Sequence, residues 1–245
     1  MSSLTDVSHP TGDPEFEIGH EHRDVSGGWL RPTVFGMVDG LVSNFGLIAG
    51  VAAASSGAKP VVVAGVAGLL AGAFSMGSGE YISVRSQNES MQAEVEAERH
   101  ELKHNPEAEL AELTQIYINR GVDEDLARLV AEQLSADPKQ ALEIHAQEEL
   151  GVDIHDLPNP WIAAGSSFLS FSVGALLPLL PFLFGGDLLW LASALTLLGL
   201  FITGAITSRF TRRSWWYAGG RQLLLGAGVF VVTYLIGHAL GATVS

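Results

Sequence analysis

Cysteine is absent from the 245 residues, which removes disulfide frameworks, thiolate zinc sites and iron–sulfur clusters. Basic residues are scarce: 13 Lys and Arg stand against 27 Asp and Glu, a net charge of −14. Such a chain repels the phosphates that a nucleic-acid binder must neutralise, so no nucleic-acid partner is expected. Charge of either sign is low, at 16% of residues, while apolar residues make up 47%. A disordered chain has the opposite composition. No catalytic triad, phosphate-binding glycine loop or nucleotide motif is visible, so neither an enzyme nor an ATP-driven machine is expected. The first 30 residues lack the apolar core of a cleavable signal peptide. Any metal chemistry has to use carboxylate, imidazole, thioether or backbone oxygen.

The averages conceal a division. Apolar residues collect in two blocks, roughly 33–84 and 161–242, while 89–156 holds 18 of the 27 acids and only five basic residues. A membrane-spanning helix needs about 20 mostly apolar residues. Five segments qualify: Thr33–Ala54, Pro60–Val84, Trp161–Phe184, Leu188–Ser208 and Gly220–Leu240. The third contains Pro178 and Pro181 and is expected to kink or end irregularly. A tight Gly185-Gly186-Asp187 turn should join it to the fourth. Of the basic residues, only Lys59 falls on the opposite side from the other twelve. The excess marks the cytoplasm, placing the amino terminus and the acidic segment inside and the carboxyl terminus outside.

The expected architecture is therefore all-α: a five-span transmembrane helical protein with a cytoplasmic helical insert between spans two and three. Its units are a flexible cytoplasmic tail (1–31, with His20 and His22), spans one and two (32–84), an acidic metal-binding helical domain (85–156) and spans three to five (157–245). For a prokaryotic chain the plasma membrane is the expected location.

Tyr81 to His104 contains neither Gly nor Pro, so span two should continue beyond the membrane as one long helix. Asn105-Pro106 then starts a helix that Gly121 caps; Asp123–Ser135 makes another; Asp137-Pro138 opens a last one, ending at Gly151. The expected core of this insert is Leu110, Leu113, Tyr117, Leu126, Leu129, Val130, Leu134, Leu142 and Ile144.

Two acids lie within or at the ends of spans. A carboxylate at a helix centre costs about 2.5–3.5 kcal/mol on insertion scales, so such residues line pathways, bind ions or carry protons. Asp39 sits about two turns inside span one, five residues before Asn44 and not on its face. Glu80 sits near the cytoplasmic end of span two, on one face with Met76, whose thioether can ligate a transition metal; an interfacial acid snorkelling to water is the alternative reading of Glu80. Ala64, Gly68 and Gly72 recur every fourth residue, a spacing for close helix packing. In the insert, Glu98 and Glu101, then Glu109 and Glu112, are three apart, while His145, Glu148 and Glu149 lie at i, i+3 and i+4. Like charges so placed repel unless a cation neutralises them. Oxygen-rich ligation suits Fe²⁺, Mn²⁺, Mg²⁺ or Ca²⁺, with Zn²⁺ also accommodated; a solvated acidic surface is the plainer alternative.

The stretches Asp39-Gly40-Leu41-Val42-Ser43-Asn44-Phe45-Gly46-Leu47 and Ser75-Met76-Gly77-Ser78-Gly79-Glu80-Tyr81-Ile82-Ser83-Val84 resemble the vacuolar iron transporter family, and the similarity runs from about Gly27 to the end. The resemblance implies a homodimeric exporter that moves Fe²⁺, often Mn²⁺ too, out of the cytosol in exchange for protons, along a pathway at the dimer interface. It needs no prosthetic group; Fe²⁺, or Mn²⁺, Zn²⁺ or Co²⁺, is the substrate, and protons and lipid are its other partners. The family's pathway aspartate falls on Asp39, its span-two methionine on Met76, and Glu80 lies in the matching G-E-Y motif. Its paired insert glutamates fall on Glu98, Glu101, Glu109 and Glu112. Its final Met-Glu…Glu cluster falls on His145, Ala146 and Glu149, so one carboxylate is missing, for which Glu148 is the candidate substitute. An acid that some members carry on span two is Gly68 here. The rival classes are a metal-gated passive channel and a membrane-anchored metal-binding or ferroxidase-like protein.

Overall fold

The computed structural model describes residues 28–55, 57–185, 188–211 and 213–244. Most of the expected tail, with His20 and His22, and Gly186-Asp187 of the expected turn lie outside them. Among the described residues there are eight helices and no strand: α1 (Leu30–Ala54), α2 (Ala58–His104), α3 (Pro106–Asn119), α4 (Glu124–Leu134), α5 (Pro138–Glu149), α6 (Pro160–Leu183), α7 (Leu189–Thr211) and α8 (Trp215–Val244). Five of them, α1, α2, α6, α7 and α8, are long and apolar enough to cross a membrane. These are the five expected spans. α8 begins at Trp215, five residues ahead of the expected Gly220, and α1 begins at Leu30.

Local chemistry sets the helix starts. Pro106, Pro138 and Pro160 each occupy the first turn, where a missing N–H breaks no hydrogen bond. Asp123, Asp137 and Asn159 cap α4, α5 and α6 by accepting from the N–H two residues on. Gly121 and Gly151, which follow α3 and α5, both adopt positive φ, +91° and +66°.

α6 is the hub of the spanning bundle, packed against α1 and α2, while α8 packs on α1 and α7. The α1–α6 crossing is a backbone-to-backbone contact. A Cβ on Gly40 would stand 2.3 Å from the Phe171 carbonyl oxygen, and one on Gly174 would stand 2.4 Å from that of Met37. α6 runs unbroken through both internal prolines to Leu183. Pro178 nonetheless removes one backbone donor and crowds the turn before it. The next carbonyl, that of Ala175, accepts a hydrogen bond from Asn44 Nδ2 at 2.7 Å, which ties α1 to α6.

α2 is one helix of 47 residues. At about 1.5 Å per residue it is roughly 70 Å long, more than twice the thickness of a hydrocarbon core. α3, α4 and α5 gather around its distal part, joined by α2–α5, α2–α3 and α3–α4 contacts. Their core differs from the expected one. Leu113 and Leu142 are buried, but Leu126 and Leu129 are exposed, and Ala127, Ala131, Ala141 and Ala146 fill the interior instead. Small side chains let these short helices approach closely, and this turns the bulkier leucines of α4 outward. A reading that ranks residues by hydrophobicity cannot see that.

Candidate metal sites

Two groups of polar side chains stand out. The first lies at the distal end of α2. Glu98 comes from α2, Glu109 from the first turn of α3, and His145 and Glu149 from successive turns of α5; ligand atoms of all four lie within 4.8 Å of one another. His145 is fully buried at the centre. Its Nδ1 stands 2.8 Å from Glu149 Oε1, 3.1 Å from Glu98 Oε1 and 3.6 Å from Glu109 Oε2. Glu98 Oε1, Glu109 Oε2 and His145 Nε2 are buried without a hydrogen-bond partner. Burial raises all three carboxyl pKa values above the usual glutamate value. Repulsion among the acids adds to the rise, and His145 only partly offsets it. Unpartnered buried acceptors converging on one point are what a divalent cation satisfies.

The remaining insert candidates lie elsewhere. Glu112 is exposed at the rim, close enough for its charge to raise the three cluster carboxyls. Glu101 is exposed and accepts from Asn105 Nδ2 at 2.5 Å. Glu148 is ion-paired with Arg120, the residue that follows α3. Its carboxylate ties α5 to the end of α3 and is not among the four converging groups.

The second group is a cleft of about 300 Å³ among the spans. α1 contributes Asp39, Ser43, Asn44 and Leu47; α2 contributes Gly68, Gly72, Ser75 and Met76; α6 contributes Phe171. Asp39 and Met76 thus share one cavity. Asn44 is 2% exposed; its Nδ2 is engaged with α6, and its Oδ1 has no partner. Gly68 and Gly72 leave this space open. A Cβ on Gly68 would stand 2.8 Å from Asn44 Oδ1, and one on Gly72 would stand 2.1 Å from the Phe171 ring. An acid at position 68 would force Asn44 and Leu47 aside. Glu80, one turn beyond Met76 and half-buried, does not line the cleft. Its neighbour Tyr81 packs on Trp161 with ring centroids 4.7 Å apart, at the end of the bundle nearest the insert.

Asn44 is the residue that spacing arguments missed. Five positions separate it from Asp39, which puts the two on different helical faces, yet a cleft wide enough to span both faces takes in both. The usable signal was an amide in an otherwise apolar span.

Five spanning helices, a carboxylate-bearing cleft among them and three glutamates around a buried histidine beyond them define a multi-pass membrane protein with groups suited to divalent cations. More particularly, the chain belongs to the VIT family, which it matches over residues 30–238. It is 40% identical over 232 residues to a vacuolar iron transporter of Acanthamoeba castellanii, an alignment covering 93% of this chain and 80% of the relative. It is 30% identical over 227 residues to vacuolar iron transporter 1 of Oryza sativa subsp. japonica, covering 90% of each. To the vacuolar iron transporter of Plasmodium falciparum it is 31% identical over 228 residues, covering 88% of this chain and 84% of the relative.

Proposed function

We propose that this protein is a transporter, not an enzyme, that exports Fe²⁺ and also Mn²⁺ from the cytosol in exchange for protons. The observation that carries the reading is the convergence of Glu98, Glu109, His145 and Glu149, with three of their buried polar atoms lacking partners. The insert, 85–156, faces the cytoplasm together with the amino terminus, because twelve of the thirteen basic residues lie on that side. Its acidity concentrates cations near the entrance. The four-residue cluster collects the ion, with Glu101, Glu112 and Glu148 as the surrounding acidic field.

The ion then enters the cleft, where Asp39, Met76 and the Asn44 Oδ1 offer carboxylate, thioether and amide oxygen, and Glu80 stands at its cytoplasmic approach. A carboxylate holds metal only when deprotonated, so protons arriving from the far side displace the ion and complete the exchange. The working unit is a homodimer. Ser43, Leu47 and Ser75 at the cleft are exposed in the single chain, and a second copy over this face would keep Asp39 from lipid.

The test is metal uptake by proteoliposomes with a controlled pH difference. An acidic interior should accelerate Fe²⁺ and Mn²⁺ entry, and Asp39→Asn should remove that response. Uptake indifferent to the gradient would rule out exchange and leave a passive channel.

A further inference from the structure

At the insert-bearing end of the bundle, where α1 begins, α7 ends and α8 begins, lies a cavity of about 600 Å³. Three arginines line it, Arg31, Arg213 and Arg221, and no acidic residue does. In a chain of net charge −14 this is the reverse of the surroundings. Among the described residues none of the three has an ion-pair partner, whereas Arg85, Arg99, Arg120 and Arg128 are all paired. Gln222, 9% exposed, also lines the cavity. Guanidinium forks around an acid-free pocket are a donor set for phosphate oxygens.

The surroundings say which phosphate. Leu30, Val34 and Phe210 form an apolar wall beside the arginines. Trp29, Trp215, Trp216 and Tyr217, all exposed, cluster at the same level. Exposed aromatic rings of this kind sit at the headgroup boundary of a bilayer. Basic pockets between spanning helices on the cytoplasmic side fit anionic headgroups. We propose that Arg31, Arg213 and Arg221 bind the phosphate of an anionic phospholipid whose acyl chain lies along the Leu30–Val34–Phe210 wall. This site is separate from both metal sites and does not depend on the transport reading.

The experiment is a thermal-shift and native mass-spectrometry titration of the full chain in detergent with phosphatidylglycerol, phosphatidylcholine or inorganic phosphate. Phosphatidylglycerol should bind saturably and raise the melting temperature, with little effect from the other two. Each arginine near a membrane surface is worth about a fivefold change in affinity, so Arg213→Gln/Arg221→Gln should weaken binding roughly thirtyfold. Arg209→Gln, on the last turn of α7 but outside the cavity, should leave it unchanged. Equal stabilisation by phosphatidylcholine would overturn the proposal. So would an equal effect of inorganic phosphate, which would assign the pocket to a soluble anion. Equal loss in the Arg209 variant would reduce the effect to diffuse surface attraction and also overturn it. The comparison among the three ligands uses the unmodified protein, so it decides the matter even if the double variant fails to fold.

Discussion

Replacing Glu109 by Gln should make the metal-free protein more stable and the metal-bound protein less so. The carboxylate is 7% exposed and its partners lie within 4.8 Å. At that separation two ionised carboxylates repel by about 3.5 kcal/mol in an effective dielectric of about 20. Three such acids make three repulsive pairs, and removing Glu109 removes two of them. Loss of the attraction between Glu109 and the neighbouring His145 opposes this, so the net gain in the metal-free protein should be about 1–2 kcal/mol. Metal binding should move the other way. Altering even an outer partner of a metal ligand typically costs 10–100-fold in affinity, and loss of a direct ligand should cost at least the upper figure. The assay is thermal unfolding of the full chain in detergent against Mn²⁺ concentration. At a hundred times its dissociation constant Mn²⁺ should stabilise the wild type by about 2.7 kcal/mol, and the variant should show almost none of this at the same concentration. A wild-type melting temperature unmoved by millimolar Mn²⁺, or a variant with the wild-type response, would refute the reasoning.

The same cluster predicts a pH dependence of definite sign. Glu98, Glu109 and Glu149 have folded-state pKa values raised by burial and mutual repulsion, so the metal-free protein is favoured below the usual glutamate value. That stability should be lost as pH rises through the raised values, and Mn²⁺ should cancel the loss; a metal-free melting temperature that climbs over this window would contradict it. In the bundle, Gly40→Ala should destabilise by about 3 kcal/mol or more, because the atoms it meets on α6 are backbone and cannot yield. Gly228→Ala on α8, with nothing within 4 Å of the added carbon, should be neutral or stabilising by up to about 1 kcal/mol; equal effects of the two substitutions on unfolding in detergent would count against the crossing described.

The five spans were legible because bilayer thickness imposes a length that apolar runs reveal directly. α8 starts before the expected Gly220, which lies inside the helix together with Gly219. Gly219 is instead a packing surface for Phe201 of α7. The E-x-x-E spacings brought all the insert acids into view without ranking them. Periodicity says which residues share a face of their own helix, but not which neighbouring helix that face meets. Glu98 and Glu109 meet α5, Glu101 meets Asn105 and His100 near the end of its own helix, and Glu148 meets Arg120, just after α3. His145, which departs from the family pattern, lies at the buried centre of the cluster, a position that only the assembled helices determine. The arginines at 31, 213 and 221 counted toward sidedness alone until three helix ends brought them to one cavity.

One unbroken rod carries a candidate ligand of each metal site: Met76 and Glu98 both belong to α2, about 33 Å apart along its axis. Direct hand-over of an ion across that gap is out of the question, but mechanical signalling is not. A tilt of only about 5° about one site would sweep the other through roughly 3 Å, given the helix's rise per residue. Gly77 and Gly79 lie just beyond Met76, but from Tyr81 to His104 the helix has no proline or glycine to absorb the motion. A tilt of α2 at the insert end should therefore be felt at the cleft, and a proline at Gln92 should uncouple the two ends.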